Sequence, residues 1–293
     1  MKIFFVKFLL FPLIFTACSQ KKESPGDLKV TNGIVASSSE FKNVVEISGL
    51  ISLNGSLVSS SCTGTFISKR VLLTAAHCAQ GHDTTGIETQ ARVYFNGKAA
   101  KLFITHPYKE WDKSYAVPID MAIAVFNDDL APSNTFAKIS LDKVSKDDDI
   151  TIAGFGVNDA TDTAHISSGI KRYGYNTVHD IRAGEIVVKG VVSGTNADGK
   201  DSATGLGDSG GPIFNKDGDI IGVTSGGRIK NGEKLSYFAA IDSNYAKKLL
   251  CVALEQNVNI PGFPVSKCTN FPANKTCDYK YSAQNFLKDI ECK

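Results

Sequence analysis

The segment Gly207-Asp208-Ser209-Gly210-Gly211-Pro212 sets a serine among glycines, where backbone N–H groups stay uncovered and can face a developing negative charge. Its G-x-S-x-G spacing also fits a strained nucleophile turn between a strand and a helix, but that arrangement needs its histidine after the serine. All five histidines, at positions 77, 82, 106, 165 and 179, precede Ser209. The opposite order needs a histidine with small neighbours, then an acid that can be buried behind it, then the serine. Leu73-Thr74-Ala75-Ala76-His77-Cys78 holds a histidine in a small, apolar segment, and Asp120-Met121-Ala122-Ile123-Ala124-Val125 puts a carboxylate at the head of an apolar run. A lone acid there is costly to bury unless a group such as His77 pairs with it.

Positioning these residues falls to short strands. From about Val44 the chain runs in alternating segments: Glu46 to Leu53, Leu57 to Cys62, Gly64 to Ile67 and Val71 to Thr74. Asn54-Gly55 and Asn96-Gly97 are hairpin signals, the second between Val93-Tyr94-Phe95 and Lys101 to Ile104. A polar stretch from about Asn127 to Lys146 reads as a connection between two β units. A second strand-rich region begins at Ile150 and includes Glu185 to Val192, Pro212 to Phe214, Ile220 to Thr224 and Tyr237 to Ile241. Asn215-Lys216-Asp217-Gly218-Asp219 is too short for an EF-hand and reads as the turn between Phe214 and Ile220. A helical period over Asn244 to Asn257 places Tyr245, Leu249, Val252 and Ala253 on one face, with Ser243 or Asp242 as its cap.

With 42% hydrophobic and 21% charged residues the 293-residue chain has ample core-forming material, which excludes disorder and a coiled coil. A formal net charge of +2 supplies no case for nucleic acid. Residues 1–17 resemble a removed export signal: Lys2 and Lys7 form a basic start, Phe8 to Phe15 a short apolar run, and Thr16-Ala17 a small-residue cleavage site. Ile14-Phe15-Thr16-Ala17-Cys18 resembles a bacterial lipoprotein box, with Phe15 where Leu is usual, so Cys18 is the expected lipid site; a plain secretory signal is the other reading. Residues 18–33 are polar, a tether or propeptide. Setting Cys18 aside from the seven cysteines leaves Cys62, Cys78, Cys251, Cys268, Cys277 and Cys292, enough for three disulfides in an oxidising compartment. The last four crowd into a Pro-interrupted tail, residues 256–293 with the end of the helix, and no CxxC pair or later histidine suggests zinc. Neither a metal nor a cofactor is expected.

The blocks TAAHC around His77, DMAIAVF from Asp120 and GDSGGP around Ser209, in that order, resemble the signatures of the trypsin/chymotrypsin family of serine proteases. His106-Pro107-Tyr108 and Ile152-Ala153-Gly154-Phe155-Gly156 resemble further family segments, and the similarity covers about Ile34 to Glu255. The resemblance implies an all-β fold of two antiparallel six-stranded barrels, near 34–135 and 146–242, followed by the C-terminal helix and the stapled tail. It implies a His77, Asp120, Ser209 triad, an oxyanion hole from the N–H groups of Gly207 and Ser209, and a Cys62–Cys78 disulfide. In this family a new terminal ammonium orders the oxyanion loop; by matching, that terminus is Ile34, freed at Gly33-Ile34 and paired with Asp208. Gly33 departs from the Arg or Lys usual before this cut. His106 is expected to be structural, and His82, His165 and His179 to lie on the surface or in loops.

The pocket base is open between two positions: Ala203, six residues before Ser209, or Asp201, if two residues are inserted after Gly199-Lys200-Asp201-Ser202. Asp201 would select Lys or Arg and Ala203 small or apolar residues. Ser225-Gly226-Gly227 matches the edge that pairs with substrate backbone, with Gly226 in place of a common Trp, so Ser225 and Gly227 join the expected substrate-binding set. The expected protein is a monomeric endopeptidase acting on protein or peptide substrates, held at a membrane by lipid before activation. The rival from another class is a protease-fold binding or adhesion protein whose cysteine-rich tail does the recognising.

Overall fold

The computed structural model describes residues 30–53, 56–78, 81–82, 88–89, 91–105, 117–193, 198–255, 257–268, 277–281 and 287–292. The expected export signal, Cys18, Asn54-Gly55 and His106 lie outside them, and for His82 only the backbone is described. In chain order the strands begin with β1 (Ile34–Val35), β2 (Val44–Leu53), β3 (Ser56–Phe66), β4 (Val71–Thr74), β5 (Gly81–His82) and β6 (Glu88–Thr89). They continue with β7 (Ala91–Phe95), β8 (Lys98–Ala99), β9 (Leu102–Thr105), β10 (Ala122–Val125), β11 (Asp149–Gly154) and β12 (Arg172–Arg182). The last six are β13 (Glu185–Gly190), β14 (Pro212–Asn215), β15 (Ile220–Lys230), β16 (Glu233–Ala240), β17 (Cys277–Tyr281) and β18 (Leu287–Cys292), with the helix α1 (Asn244–Glu255) between β16 and β17.

The fold is the all-β, chymotrypsin-like one that the motifs imply. One sheet runs β8-β7-β2-β3-β4-β10-β9 and curls without closing; the other runs β12-β11-β14-β15-β16-β13, closes through a β12–β13 pairing, and carries β1 on its edge. Alternation drives both: in β2, Val45 and Ile47 point inward while Glu46 and Ser48 face water. Phe66, Leu72, Ile104 and Ile123 are buried in the first core, and Ile150, Ile152, Ile186 and Phe238 in the second. The polar connection crosses between the sheets, meeting the second at an Ile139–Ile220 bridge and burying Val144 in its core.

Local signals hold with small shifts. Asn96 and Gly97 both adopt positive φ, 48° and 72°, and turn β7 into β8, so the return strand is Lys98–Ala99 and Leu102–Thr105 pairs instead with β10. Asn215 to Asp219 is the β14–β15 turn, closed by the Asn215 N–H to the Asp219 carbonyl. α1 ends at Glu255, and its buried face adds Ala246, Leu250 and Cys251 to Leu249, Val252 and Ala253, while Tyr245 is exposed. Cys251 is bonded to Cys268, which ties the chain after α1 back to the helix. The backbone register sets Cys277 opposite Cys292.

The terminal segment differs from the expected tether. Val30, Thr31 and Asn32 are buried, Val30 in the second core, so the packed chain begins before Ile34.

Of the two candidate caps Ser243 serves, its Oγ accepting the Ala246 N–H at 3.1 Å. Ser243→Ala should lower unfolding free energy by about 1 kcal/mol, read as a lower urea midpoint at unchanged slope.

Candidate active site

His77 sits in a 3₁₀ turn, Ala76–Cys78, directly after β4, and Asp120 just before β10, the neighbour of β4 in the sheet. The pairing of these strands brings histidine and acid together. The His77 Nδ1 lies 2.7 Å from Asp120 Oδ2, and the His77 backbone N–H donates to Oδ1 at 3.0 Å. Asp120 is buried, and Ser225 Oγ donates a further hydrogen bond to its Oδ2 at 2.5 Å. Burial alone would lower the His77 pKa, but the charge of Asp120 and the hydrogen bond to it outweigh that and raise it. The ring keeps 34% of its surface open, leaving its far nitrogen available to the cleft. Cys62 is bonded to Cys78, locking the turn that carries His77 onto β3. Cys62, His77 and Cys78 crowd together as metal ligands could, but the disulfide consumes both thiols.

Ser209 comes from the loop before β14 and is partly exposed. The first sheet grips this loop. Thr63 N–H donates to the Ser209 carbonyl at 2.8 Å and Thr63 Oγ1 to the Gly207 carbonyl at 2.8 Å, while Gly210 N–H donates to the Thr224 carbonyl. Gly210 has a φ of 82°, and a side chain there would strike Thr74 Oγ1 and the Thr63 carbonyl. Only glycine lets the serine loop press against the end of β4, beside His77. Ser209 Oγ makes no hydrogen bond among the described residues; catalytic contacts of this kind often tighten only when substrate arrives. The N–H groups of Gly207 and Ser209 are likewise given to no acceptor among the described residues, as an oxyanion site requires.

Asp208 is fully buried, its carboxylate accepting the N–H groups of Gly156 at 2.7 Å and Gly205 at 2.8 Å. Burial pushes its pKa up to about 6, against the pull of those two N–H groups and of the Arg172 and Lys234 charges. The expected Ile34–Asp208 pair is not brought together. Ile34 lies in β1 opposite Tyr173, where it meets Gly199. The buried element is the one before it: Thr31 N–H and Oγ1 both donate to the Ala203 carbonyl, each at 3.0 Å, and Ala203 N–H returns a bond to Thr31 Oγ1 at 2.9 Å.

The two candidate pocket bases separate as well. Ala203 is buried and followed by Thr204, whose N–H and hydroxyl bond Ser236 Oγ on β16, both at 2.9 Å. Asp201 is exposed, with a φ of 48°, and lines a separate cleft with Asp147, Asn176 and His179. The Ser225 side chain bonds Asp120, a use hidden because its partner lies 105 residues away. Gly227 lies on β15 opposite Ser236. His165 and His179 are exposed, as expected.

The family model described as Trypsin matches residues 34–249. Trypsin delta and trypsin gamma of Drosophila erecta are each 26% identical over 180 residues, 58% of this chain and 70% of theirs. Among solved structures, a Glu endopeptidase is similar with a TM-score of 0.53 and 16% identity, covering 79% of this chain and 97% of its own. The mouse-brain serine protease neuropsin is similar with a TM-score of 0.52 and 15% identity, covering 78% and 100%. At these identities both show the fold alone.

Because Asp120 raises the His77 pKa, its removal should lower it. In Asp120→Asn the His77 ring proton should titrate at lower pH by NMR. The sign for stability follows: a raised histidine pKa stabilises the fold below the unfolded value and is lost as pH rises through the folded one, so the variant should lose stability chiefly at acid pH.

Proposed function

From the premise that this chain belongs to the trypsin family, we propose that it is a serine endopeptidase working through His77, Asp120 and Ser209. The observation that carries the reading is the His77–Asp120 pair, buttressed by Ser225 and set beside a serine loop whose Gly207 and Ser209 N–H groups are uncommitted. Asp120 holds the His77 Nδ1 proton, so the other ring nitrogen takes the Ser209 proton as Oγ attacks a peptide carbonyl. The tetrahedral oxyanion is met by the two N–H groups, each worth roughly 3 to 4 kcal/mol in such sites. His77 then delivers the proton to the leaving amine, and water releases the acyl group by the same steps reversed. Peptide bonds in proteins are the substrates, and two disulfides suit an exported enzyme.

The protein is made as a zymogen, and its new terminus is Val30, cut free after Lys29, in place of Ile34 after Gly33. Four observations support Val30. It is fully buried; Thr31 is clamped onto Ala203, five residues before Asp208; lysine precedes it; and its φ of 56° is costly for a β-branched residue while the preceding peptide is intact. Asp208 supplies the demand for a cation. A raised carboxyl pKa means the folded chain binds that proton more tightly, so stability falls as pH climbs from about 4 to about 6. Above that range the ionised group costs roughly 3 kcal/mol unless an ammonium neutralises it. The pair in turn raises the ammonium pKa, so the ordering is present at lower pH and lost as pH rises through that value.

A fluorophosphonate should label the processed protein, with labelling abolished in Ser209→Ala and lost at alkaline pH. N-terminal sequencing of labelled protein should read Val-Thr-Asn-Gly, and Lys29→Gln should stay unlabelled. A start at Ile34 would refute the Val30 terminus, and a Val30-terminated protein that never labels would favour a binding protein on a protease fold.

Cys18 would anchor the precursor by lipid, and residues 19–29 hold no cysteine to retain the cleaved domain. Processing therefore also releases the enzyme from the membrane. Fractionation should find the precursor with membranes and the Val30 form soluble; a membrane-bound Val30 form would refute release.

A further inference from the structure

Beside the serine loop the face of β16 that bears Ser236 looks onto the Ala203–Thr204 segment, to which Ser236 Oγ is bonded. Gly227 is registered opposite Ser236, so a side chain at 227 would project onto this same face. Lys234, two residues before Ser236 on the same strand, shares the face too. Its Cε and Nζ lie 3.0 and 3.1 Å from the point a Cβ on Gly227 would occupy. The space that the missing 227 side chain leaves is thus reached by an ammonium. Gly226 has nothing within 4 Å of its own missing Cβ, so the edge beside it is open.

No carboxylate among the described residues comes within ion-pair distance of Lys234. Glu233 is paired to Lys189 at 2.7 Å, Asp201 lines another cleft, and the Asp208 carboxylate is held by Gly156 and Gly205. The neighbouring Arg228 stands over the Tyr237 ring, on the opposite face of the hairpin. At the position that the resemblance gives for the pocket floor stands Ala203, which carries no charge, and beside it lie the buried Thr204 and Ser236 hydroxyls, bonded to each other. Burial lowers the Lys234 pKa and the field of Asp208 raises it, as for a half-buried cation facing the nucleophile loop.

We infer that this pocket takes an acidic side chain, glutamate or aspartate, on the residue whose carbonyl is attacked, and that Lys234 selects it. The inference rests on the peptidase reading, because the pocket is meaningful as a specificity site only beside Ser209. A half-buried ammonium with no carboxylate in ion-pair contact gains from a ligand carboxylate, and it repels the Lys or Arg side chain that an acid at position 201 would have welcomed. The open edge at Gly226 leaves a path for the substrate chain past Ser225.

Two measurements test this separately from catalysis. Processed enzyme is given fluorogenic peptides differing only at the residue before the cut: Glu, Asp, Gln, Ala, Leu, Lys or Arg. Glu or Asp should be preferred over Gln by about a hundredfold in kcat/KM. That ratio should collapse towards unity in Lys234→Gln and return in Lys234→Arg, and Lys234→Glu should turn the preference to Lys. Preference of the wild type for Lys, Arg or apolar residues, or an acid preference surviving in Lys234→Gln, would overturn the inference. In parallel, Ser209→Ala protein is titrated with product peptides ending in Glu, Gln or Lys. Tighter binding of the Glu peptide, lost in the Lys234→Gln background, supports the pocket even if no peptide is cleaved, whereas equal or reversed affinities refute it and leave the triad reading untouched.

Discussion

The buried carboxylate of Asp208 is the constraint around which the nucleophile loop is built. An acid wholly removed from water must be met by donors or cations. Here the donors are two backbone N–H groups, one from Gly156 on the neighbouring β11 side and one from Gly205 in its own loop. Glycine is required at Gly154 and Gly156 because any side chain there would collide with the Asp208 carboxylate. The glycines of the Ile152 to Gly156 segment thus owe their presence to an acid more than fifty residues away. Burial outweighs these two N–H groups and the Arg172 and Lys234 charges and keeps the carboxyl pKa raised, so the loop that presents Ser209 would gain from a further cation.

The same loop is shared between the two sheets. Thr63 reaches from β3 to the carbonyls of Gly207 and Ser209, and its Oγ1 also accepts the Phe155 N–H of the second sheet. Asp120 works in the other direction: it belongs to the first sheet, yet its carboxylate is steadied by Ser225 on β15 of the second. Ser209 and Asp120 are therefore each fixed by a bond that crosses the cleft, and His77 is held through Asp120. A shift of one sheet against the other would disturb serine and acid together, which makes the interface between the sheets, and not either core alone, what holds the geometry.

Much of this was legible in the chain. The order of His77, Asp120 and Ser209 excluded one hydrolytic architecture and pointed to another, and alternation with Asn-Gly turns located most strands. These signals are local, set by period and turn chemistry over a few residues. What stayed hidden depends on contacts far apart in sequence. Val30 reads as part of a polar tether until Thr31 is seen clamped on Ala203, 172 residues away. Ser225 matched a substrate edge, but its hydroxyl is committed to Asp120. The signal for the proposed terminus is Lys29-Val30 itself, a basic residue before a β-branched one, which the Ile34-Val35 pair overshadowed.

Charge illustrates the same limit. Residues 30–293 carry 27 Lys and Arg against 28 Asp and Glu, a net charge of −1, so the field of the proposed processed chain as a whole attracts neither sign of substrate. Selection must then come from individual charges held where water is scarce. On a twisted hairpin a lysine counts as a surface residue until the register is known, and between Thr224 and Gly226 that register shifts by a bulge. The bulge sets Gly227 opposite Ser236 and brings Lys234 beside the gap. One extra residue in β15 therefore decides which residue stands opposite Ser236, and because that residue is a glycine the 234 ammonium has a gap to reach into, the place where the proposed enzyme would read a charge on its substrate.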